Sequence, residues 1–177
     1  LEKRRSRRDY SARPLALAEL AQLLWAAQGI THAEGLRTAP SAGALHPLQV
    51  YVLAGRVTGL APGTYRYLAQ PHALERLGTE DARGALAVAA LAQSFIADAA
   101  AVLVLAARYQ RTTGKYGKRG MRYVHMEAGH AAQNIYLEAV SLGLGTVTVG
   151  AFDDERVKAV VPFAPDEEPL CVMPLGR

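Results

Sequence analysis

Cysteine is almost absent: Cys171 is the only one in the chain. A lone thiol excludes a disulfide framework and a zinc site built on several thiolates. Its apolar, strand-like surroundings mark it as buried and inert. Aromatics are scarce too, at 7 per cent, which leaves little for a stacking platform on single-stranded nucleic acid. Long clean apolar runs are missing. The best candidate, Ala85 to Ala107, is mostly alanine and carries Gln93, Ser94 and Asp98, so it does not read as a membrane span. There is no GxSxG nucleophile elbow, no phosphate-binding P-loop and no GxGxxG dinucleotide fingerprint. No export signal is visible, which makes the cytoplasm the expected compartment.

What is present is a globular composition, 50 per cent hydrophobic and 20 per cent charged over 177 residues, and the simplest expectation is one domain over 1–177. The net charge of +4 is concentrated. KRRSRR at 3–8 carries five positive charges, and residues 108–122 carry six more. Two basic clusters suit either nucleic acid or one phosphorylated small molecule held from two sides. The basic segments lack interleaved aromatics, which favours the small anion, with no nucleic-acid partner.

Leu17, Leu20, Leu24 and Ala27 recur at the helical period, which predicts a helix from Leu15 to Gln28, ended by Gly29. Val50 to Leu53 and Thr64 to Leu68 read as strands, the second after a Pro62-Gly63 turn. Ala85 to Ala92 reads as a short helix. Ala100 to Ala107, apolar throughout, reads as a central strand covered on both faces. Arg108 to Gly120, polar and punctuated by glycines, reads as a loop. Met121 to Leu142 is the longest predicted helix, ended by Gly143 and Gly145. Thr146 to Val149 and Leu170 to Pro174 read as strands, and Asp153 or Asp154 as the cap of a short helix, Glu155 to Val160. The two longest helices are expected to flank the strands. The fold class is α+β, a mixed or antiparallel sheet covered by helices.

Four stretches offer chemistry. In RRSRRDYS, Arg4, Ser6 and Arg8 alternate, so an extended segment would point two guanidinium forks and a hydroxyl the same way, a set suited to phosphate. TAPSAGALHPLQVYVL lines up Pro40, Ser41, Ala42, Gly43 and Ala44 before a strand. Such small residues let a large ligand approach the backbone closely. In EAGHAAQN, Glu127, His130 and Asn134 share one helical face. His125 and His130 are five apart, which does not match the paired-histidine zinc signature, so no metal is expected and the face reads as a polar stripe bonding across a helix interface. GLGTVTVGAF exposes backbone N–H groups at a strand end, able to meet a heteroaromatic ring without side chains.

Taken in order, RRSRR (4–8), PSAGALHPLQVYV (40–52), KYGKRGMRYVHMEAGHAAQN (115–134), LGLGTVTVGAF (142–152) and PLG (174–176) resemble the nitroreductase superfamily of FMN flavoproteins, and within it the SagB-type dehydrogenases. The resemblance implies an α+β homodimer that binds FMN at the subunit interface, both chains lining each site. It places Arg4, Ser6 and Arg8, with Arg5 through its backbone, on the flavin phosphate and ribityl chain. It sets Pro40 to Ala44 against the flavin, one wall coming from the neighbouring subunit. It turns the backbone of Val147 to Ala151, with Thr148, Val149, Gly150 and Ala151, toward flavin N5, where a donor tunes the ring. The chain departs from the family at Thr148, where many members have proline, and near Ala44 and Leu48, where they have asparagine and tryptophan. Family members continue past PLG with basic residues on the phosphate. Here that part is either incomplete or supplied by Arg177.

The implied activity is hydride transfer through flavin N5 between NAD(P)H and a small acceptor, a nitro compound or quinone. Lys115 and Tyr116 also resemble the Lys-Tyr pair of azoline dehydrogenases, which implies an alternative: oxidation of a thiazoline or oxazoline in a modified peptide, with the pair as base beside N5. A third alternative is a non-catalytic flavin-binding module.

Overall fold

The computed structural model describes all of residues 1–177. Eight strands and six helices follow the chain as β1 (Leu15–Ala16), α1 (Leu17–Gln28), β2 (Leu48–Ala54), β3 (Val57–Thr58), β4 (Gly63–Leu68), β5 (Ala73–Gly78), α2 (Arg83–Ala89), α3 (Phe95–Asp98), β6 (Ala101–Ala107), α4 (Tyr109–Tyr116), α5 (Arg119–Ser141), β7 (Gly145–Thr146), α6 (Asp154–Val160) and β8 (Glu168–Gly176). Six strands form one sheet in the order β5-β4-β2-β6-β8-β7. Every pairing in it is antiparallel.

The apolar run Ala101–Ala107 is the centre of that sheet, all seven residues buried. Strand side chains alternate between faces, and here each face meets its own core. Ala101, Leu103, Leu105 and Ala107 join one cluster with α1 and α5. Val102, Val104 and Ala106 join the other with α2, α3 and α6. Strand β2 divides the same way, Val50 and Val52 to one side and Tyr51 and Leu53 to the other. Double coverage therefore explains a continuous apolar strand in an antiparallel sheet. Each fully buried leucine stabilises the fold by about 1.5–3 kcal/mol relative to exposure.

The two longest helices do not flank the sheet. Leu20, Leu23 and Leu24 of α1 and Val124, Ala131 and Ile135 of α5 belong to one cluster on one face. The opposite face is covered by the short helices. Helix α5 ends at Gly143, whose φ of 69° lets the chain leave in the left-handed region, with Leu144 N–H returning to Ala139 O at 2.7 Å. Asp153 caps α6 by accepting from Arg156 N–H at 3.0 Å.

The segment 108–120 corrects the loop expectation. It is α4 followed by the start of α5, with one break at Gly117 (φ 56°, ψ −148°). Gly114 lies inside α4, and Gly120 in the first turn of α5 is there for packing. A Cβ on Gly120 would stand 2.8 Å from the Thr113 backbone, so the glycine permits α4 and α5 to touch. Strand β5 has no sequence signature. It is an edge strand, largely exposed, tied by a cross-strand Arg66–Glu75 pair at 2.6 Å. The expected strand 146–149 is shorter: β7 is two residues, and Val149 makes only an isolated bridge to Val172. No helix is long and apolar enough to cross a membrane.

Candidate functional site

Two clusters of the expected residues form, one on each of two sets of α5 side chains. The first is built on Tyr136. The basic N-terminal segment runs extended beside β7, with Arg7 N–H donating to Thr146 O at 2.9 Å. That register brings Ser6 Oγ to 3.1 Å from the Tyr136 hydroxyl and sets the Arg4 guanidinium 5.2 Å from the Tyr136 ring centroid. Thr148 N–H donates to the same hydroxyl at 2.8 Å. Burial alone would raise the Tyr136 phenol; the Ser6 and Thr148 hydrogen bonds and the Arg4 charge outweigh it and hold the phenol below its ordinary value.

One turn before Tyr136, Ala128, Gly129 and Ala132 line a cleft of about 380 Å³ whose other wall includes Thr148 and Gly150. An added methyl at Gly129 or Gly150 would meet no protein atom within 4 Å, so the space over both glycines is open. Of the backbone donors expected at the strand end, two are taken. Thr148 N–H goes to Tyr136, and Val149 N–H to Val172 O at 2.8 Å. Gly150 and Ala151 keep N–H groups that no group in the chain accepts. The cleft wall also carries Tyr109, His125 and Phe152; with a free backbone donor in it at Gly150, another next to it at Ala151, and the arginine-hydroxyl set joined to it through Thr148, the cleft suits a phosphorylated heteroaromatic cofactor. Arg4, Ser6, Gly150 and Ala151 are the residues able to hold it.

The second cluster is the small-residue loop. Ser41 precedes a single tight turn, Ala42–Ala44, in which Gly43 has φ 62°. Ser41 Oγ accepts from His46 N–H at 2.9 Å and closes the loop. A Cβ on Gly43 would lie 2.7 Å from the Tyr116 hydroxyl and 3.1 Å from Lys115 Nζ. The structure thus brings Lys115 and Tyr116 onto the loop. Lys115 Nζ is 5.5 Å from the Tyr116 ring centroid, and Tyr123 meets that ring edge-on at 5.2 Å. Pro40, Gly43 and Ala44 are exposed.

Beside the loop lies Glu127, 2 per cent exposed. Burial pushes its carboxyl up to about 7, against the pull of the Ser41 hydroxyl and of the Arg37 charge. Its Oε1 has no partner.

Other expected residues are engaged elsewhere. Arg5 Nη1 donates to the carbonyls of Glu2 and Arg4 within its own segment. Arg8 stands 5.9 Å from the Phe95 ring centroid and not on Tyr136. Arg177 pairs with Glu19. On the polar helix face, Asn134 donates to Ala26 O and Thr38 O and ties α5 to α1, as a stripe across a helix interface should, while His130 is exposed. Tyr136, Arg37 and the particular role of Glu127 escaped the sequence. The partners of Tyr136, Thr148 and Ser6, are 12 and 130 residues away along the chain, and no local spacing encodes that.

Known proteins share the sequence pattern and the fold. The chain is 51% identical over 177 residues to a nitroreductase-like protein of Methanocaldococcus jannaschii, covering 100% of this chain and 88% of that one. It is 27% identical over 147 residues to the trifolitoxin-processing protein of Rhizobium leguminosarum, covering 75% of this chain and 37% of that one. The fold matches a nitroreductase-like protein of Anabaena variabilis with a TM-score of 0.87 and 32% identity, covering 99% of this chain and 36% of that one. The NADPH:FMN oxidoreductase of Vibrio harveyi shares the fold at a TM-score of 0.69 and 22% identity, covering 98% of this chain and 64% of that one. The model of the nitroreductase family, a family of oxidoreductases, matches residues 1–177. The chain belongs to that family.

Proposed function

We propose that the protein binds FMN and passes reducing equivalents from NAD(P)H to a small acceptor, a quinone or nitro compound. The observation that carries this reading is the cleft over Gly129 and Gly150, with its free Gly150 and Ala151 N–H groups, next to the Arg4–Ser6–Tyr136 set. When bound, the flavin supplies two-electron hydride chemistry that no side chain here possesses. Arg4 and Ser6 hold the phosphate and ribityl end. Tyr136 orients Ser6 and fixes the strand end through Thr148. Gly150 and Ala151 present backbone donors to the ring edge.

The loop Pro40–Ala44 completes the site from a second copy in a homodimer. Two observations support that part. Pro40, Gly43 and Ala44 of the loop are exposed, and α1 and α5 expose large apolar side chains, Trp25 at 43 per cent, Met121 at 48 per cent and Met126 at 53 per cent, which a second copy would cover.

The test is direct. The purified protein should be yellow and consume NADH stoichiometrically with menadione, an activity lost on removing flavin and restored by adding FMN. Arg4→Ala should weaken FMN binding by about 1.5–3 kcal/mol, the range for a charge-assisted hydrogen bond. A yellow protein that oxidises neither NAD(P)H nor a thiazoline peptide would leave only the flavin-binding module.

A second reading rests on Lys115 Nζ and Tyr116 Oη meeting over Gly43 and on the likeness to a peptide-toxin processing protein. It assigns azoline oxidation, with the pair removing the carbon-bound proton and oxygen accepting the electrons. Tyr116→Phe separates the two. It should abolish loss of two hydrogens from a thiazoline peptide while leaving NADH–menadione turnover within a few-fold, because ring-to-ring hydride transfer needs no such base.

A further inference from the structure

We propose that the recess between the end of α1, the start of β2 and the end of β4 binds a small oxyanion, a property independent of the flavin reading. Its walls include Gln28, Arg37, Gln49, Tyr67, Gln70 and Arg111, and no acidic side chain. It shares no residue with the cleft over Gly150.

The donors are set by one bond. Arg37 Nη1 donates to Gln28 Oε1 at 2.7 Å. With its oxygen turned to the guanidinium, the amide must turn its nitrogen away. Gln28 is 1 per cent exposed, and its Nε2 has no acceptor in the chain; neither has Nε of Arg37. Buried donors are rarely left unpaired. Arg111 brings a second guanidinium from α4, held by donation to His46 O at 2.9 Å. Glu127, whose charge acts on Arg37, is not in the wall. Two arginines and three amide side chains around one hollow, with no carboxylate in its wall, call for an anion from outside.

Size and lining narrow the class. The recess holds about 290 Å³, the liquid share of roughly ten waters at ~30 Å³ each. Ile30, Leu48, Val50 and Leu68 supply apolar surface. The fitting ligand is therefore an oxyanion head, carboxylate or phosphate, on at most a short apolar body.

Two-dimensional NMR of the purified protein in chloride-free buffer tests this, with separate titrations of sodium butyrate, inorganic phosphate and neutral n-butanol. Arg111 is exposed, so Arg111→Gln leaves the core intact; Arg122→Gln, also exposed, is the control. Saturable shifts of the Gln28 side-chain amide and of the Ile30 and Ala69 backbone amides, weakened about tenfold or more in Arg111→Gln and unchanged in Arg122→Gln, support the site. Butyrate binding more tightly than phosphate then assigns a carboxylic acid, and the reverse order a phosphate. The proposal is overturned by no saturable shift into the millimolar range, by an equal response to n-butanol, or by unchanged affinity in Arg111→Gln.

Discussion

Glu127 and Glu167 are buried alike, 2 and 1 per cent exposed, and provided for very differently. Glu167 lies where the chain enters β8. It accepts from the Tyr51 hydroxyl at 2.5 Å, from Arg108 Nε at 2.9 Å and from Ala164 N–H at 3.1 Å. Burial and then the Glu167 carboxylate push the Tyr51 phenol well above its ordinary value. Glu127 has the Ser41 hydroxyl and the Arg37 charge pulling its carboxyl down against burial, and its Oε1 has no partner. A carboxylate with three good donors is a frame element: it joins β2, the start of α4 and the last strand. A carboxyl left short of donors in the same degree of burial is held toward its neutral form, and it sits beside an exposed loop that the proposed function places against flavin. The fold thus satisfies its charge where only structure is at stake and leaves one unsatisfied next to the site.

The largest effect expected from this contrast is on stability. Glu167→Ala removes the acceptor of a buried phenol and of a largely buried guanidinium. Breaking such a pair costs about 3–5 kcal/mol. Arg108 keeps 28 per cent of its side chain exposed, and water will take up part of the loss, so about 3 kcal/mol is expected. Urea unfolding at neutral pH measures it. A loss below about 1 kcal/mol, the scale of an exposed pair, would remove the frame role.

Glu127 should act through pH. Its folded-state value, about 7, is raised from 4.5, so between those values the folded chain binds more protons than the unfolded one. Stability then falls as pH rises through that window and stays low above it. Glu127→Gln, which carries no charge to bury, should lose this slope. Relative to the native chain it should gain about 2–3 kcal/mol in stability on going from pH 5 to pH 8. Parallel stability–pH curves for the two proteins would show that Glu127 does not titrate in this range.

The contrast also shows what could be read in advance. Doubly covered strands announce themselves by apolar runs, and Ala101–Ala107 and β2 were legible for that reason. Helix α5 was legible from its stripe. Arg108–Gly120 was not, because Gly114 and Gly120 are read as turn residues while Gly120 serves contact between α4 and α5. Strand β5 was silent because an exposed edge needs no apolar pattern. Around the candidate site, the residues the sequence singled out do come together in the fold: Arg4 and Ser6, marked by alternation, gather on Tyr136, and Lys115 and Tyr116, marked by resemblance, meet the small-residue loop. Their supports were not marked. Ser6 is 130 residues from Tyr136, and such pairings are fixed by the fold alone. Nor did the sequence show that Arg177 pairs with Glu19, 158 residues away.

The smallest expected effect isolates the link between the loop and its carboxyl. Ser41 Oγ accepts from His46 N–H at 2.9 Å, and its hydroxyl pulls the Glu127 carboxyl down against burial. Ser41→Ala removes both. The His46 N–H loses its acceptor, but the loop is only half-buried and water can replace it, so the cost independent of pH should be about 0.5–1 kcal/mol. Glu127 then loses the donor that favours its charged form, and its value should climb beyond about 7. Because the unfolded value is unchanged, the decline in stability with rising pH begins at the same place and runs to a higher pH before it levels. In Ser41→Ala combined with Glu127→Gln that decline should vanish, and the cycle of the four proteins gives the coupling directly. A Ser41→Ala profile that superimposes on the native one would show that the loop and Glu127 are neighbours without being coupled.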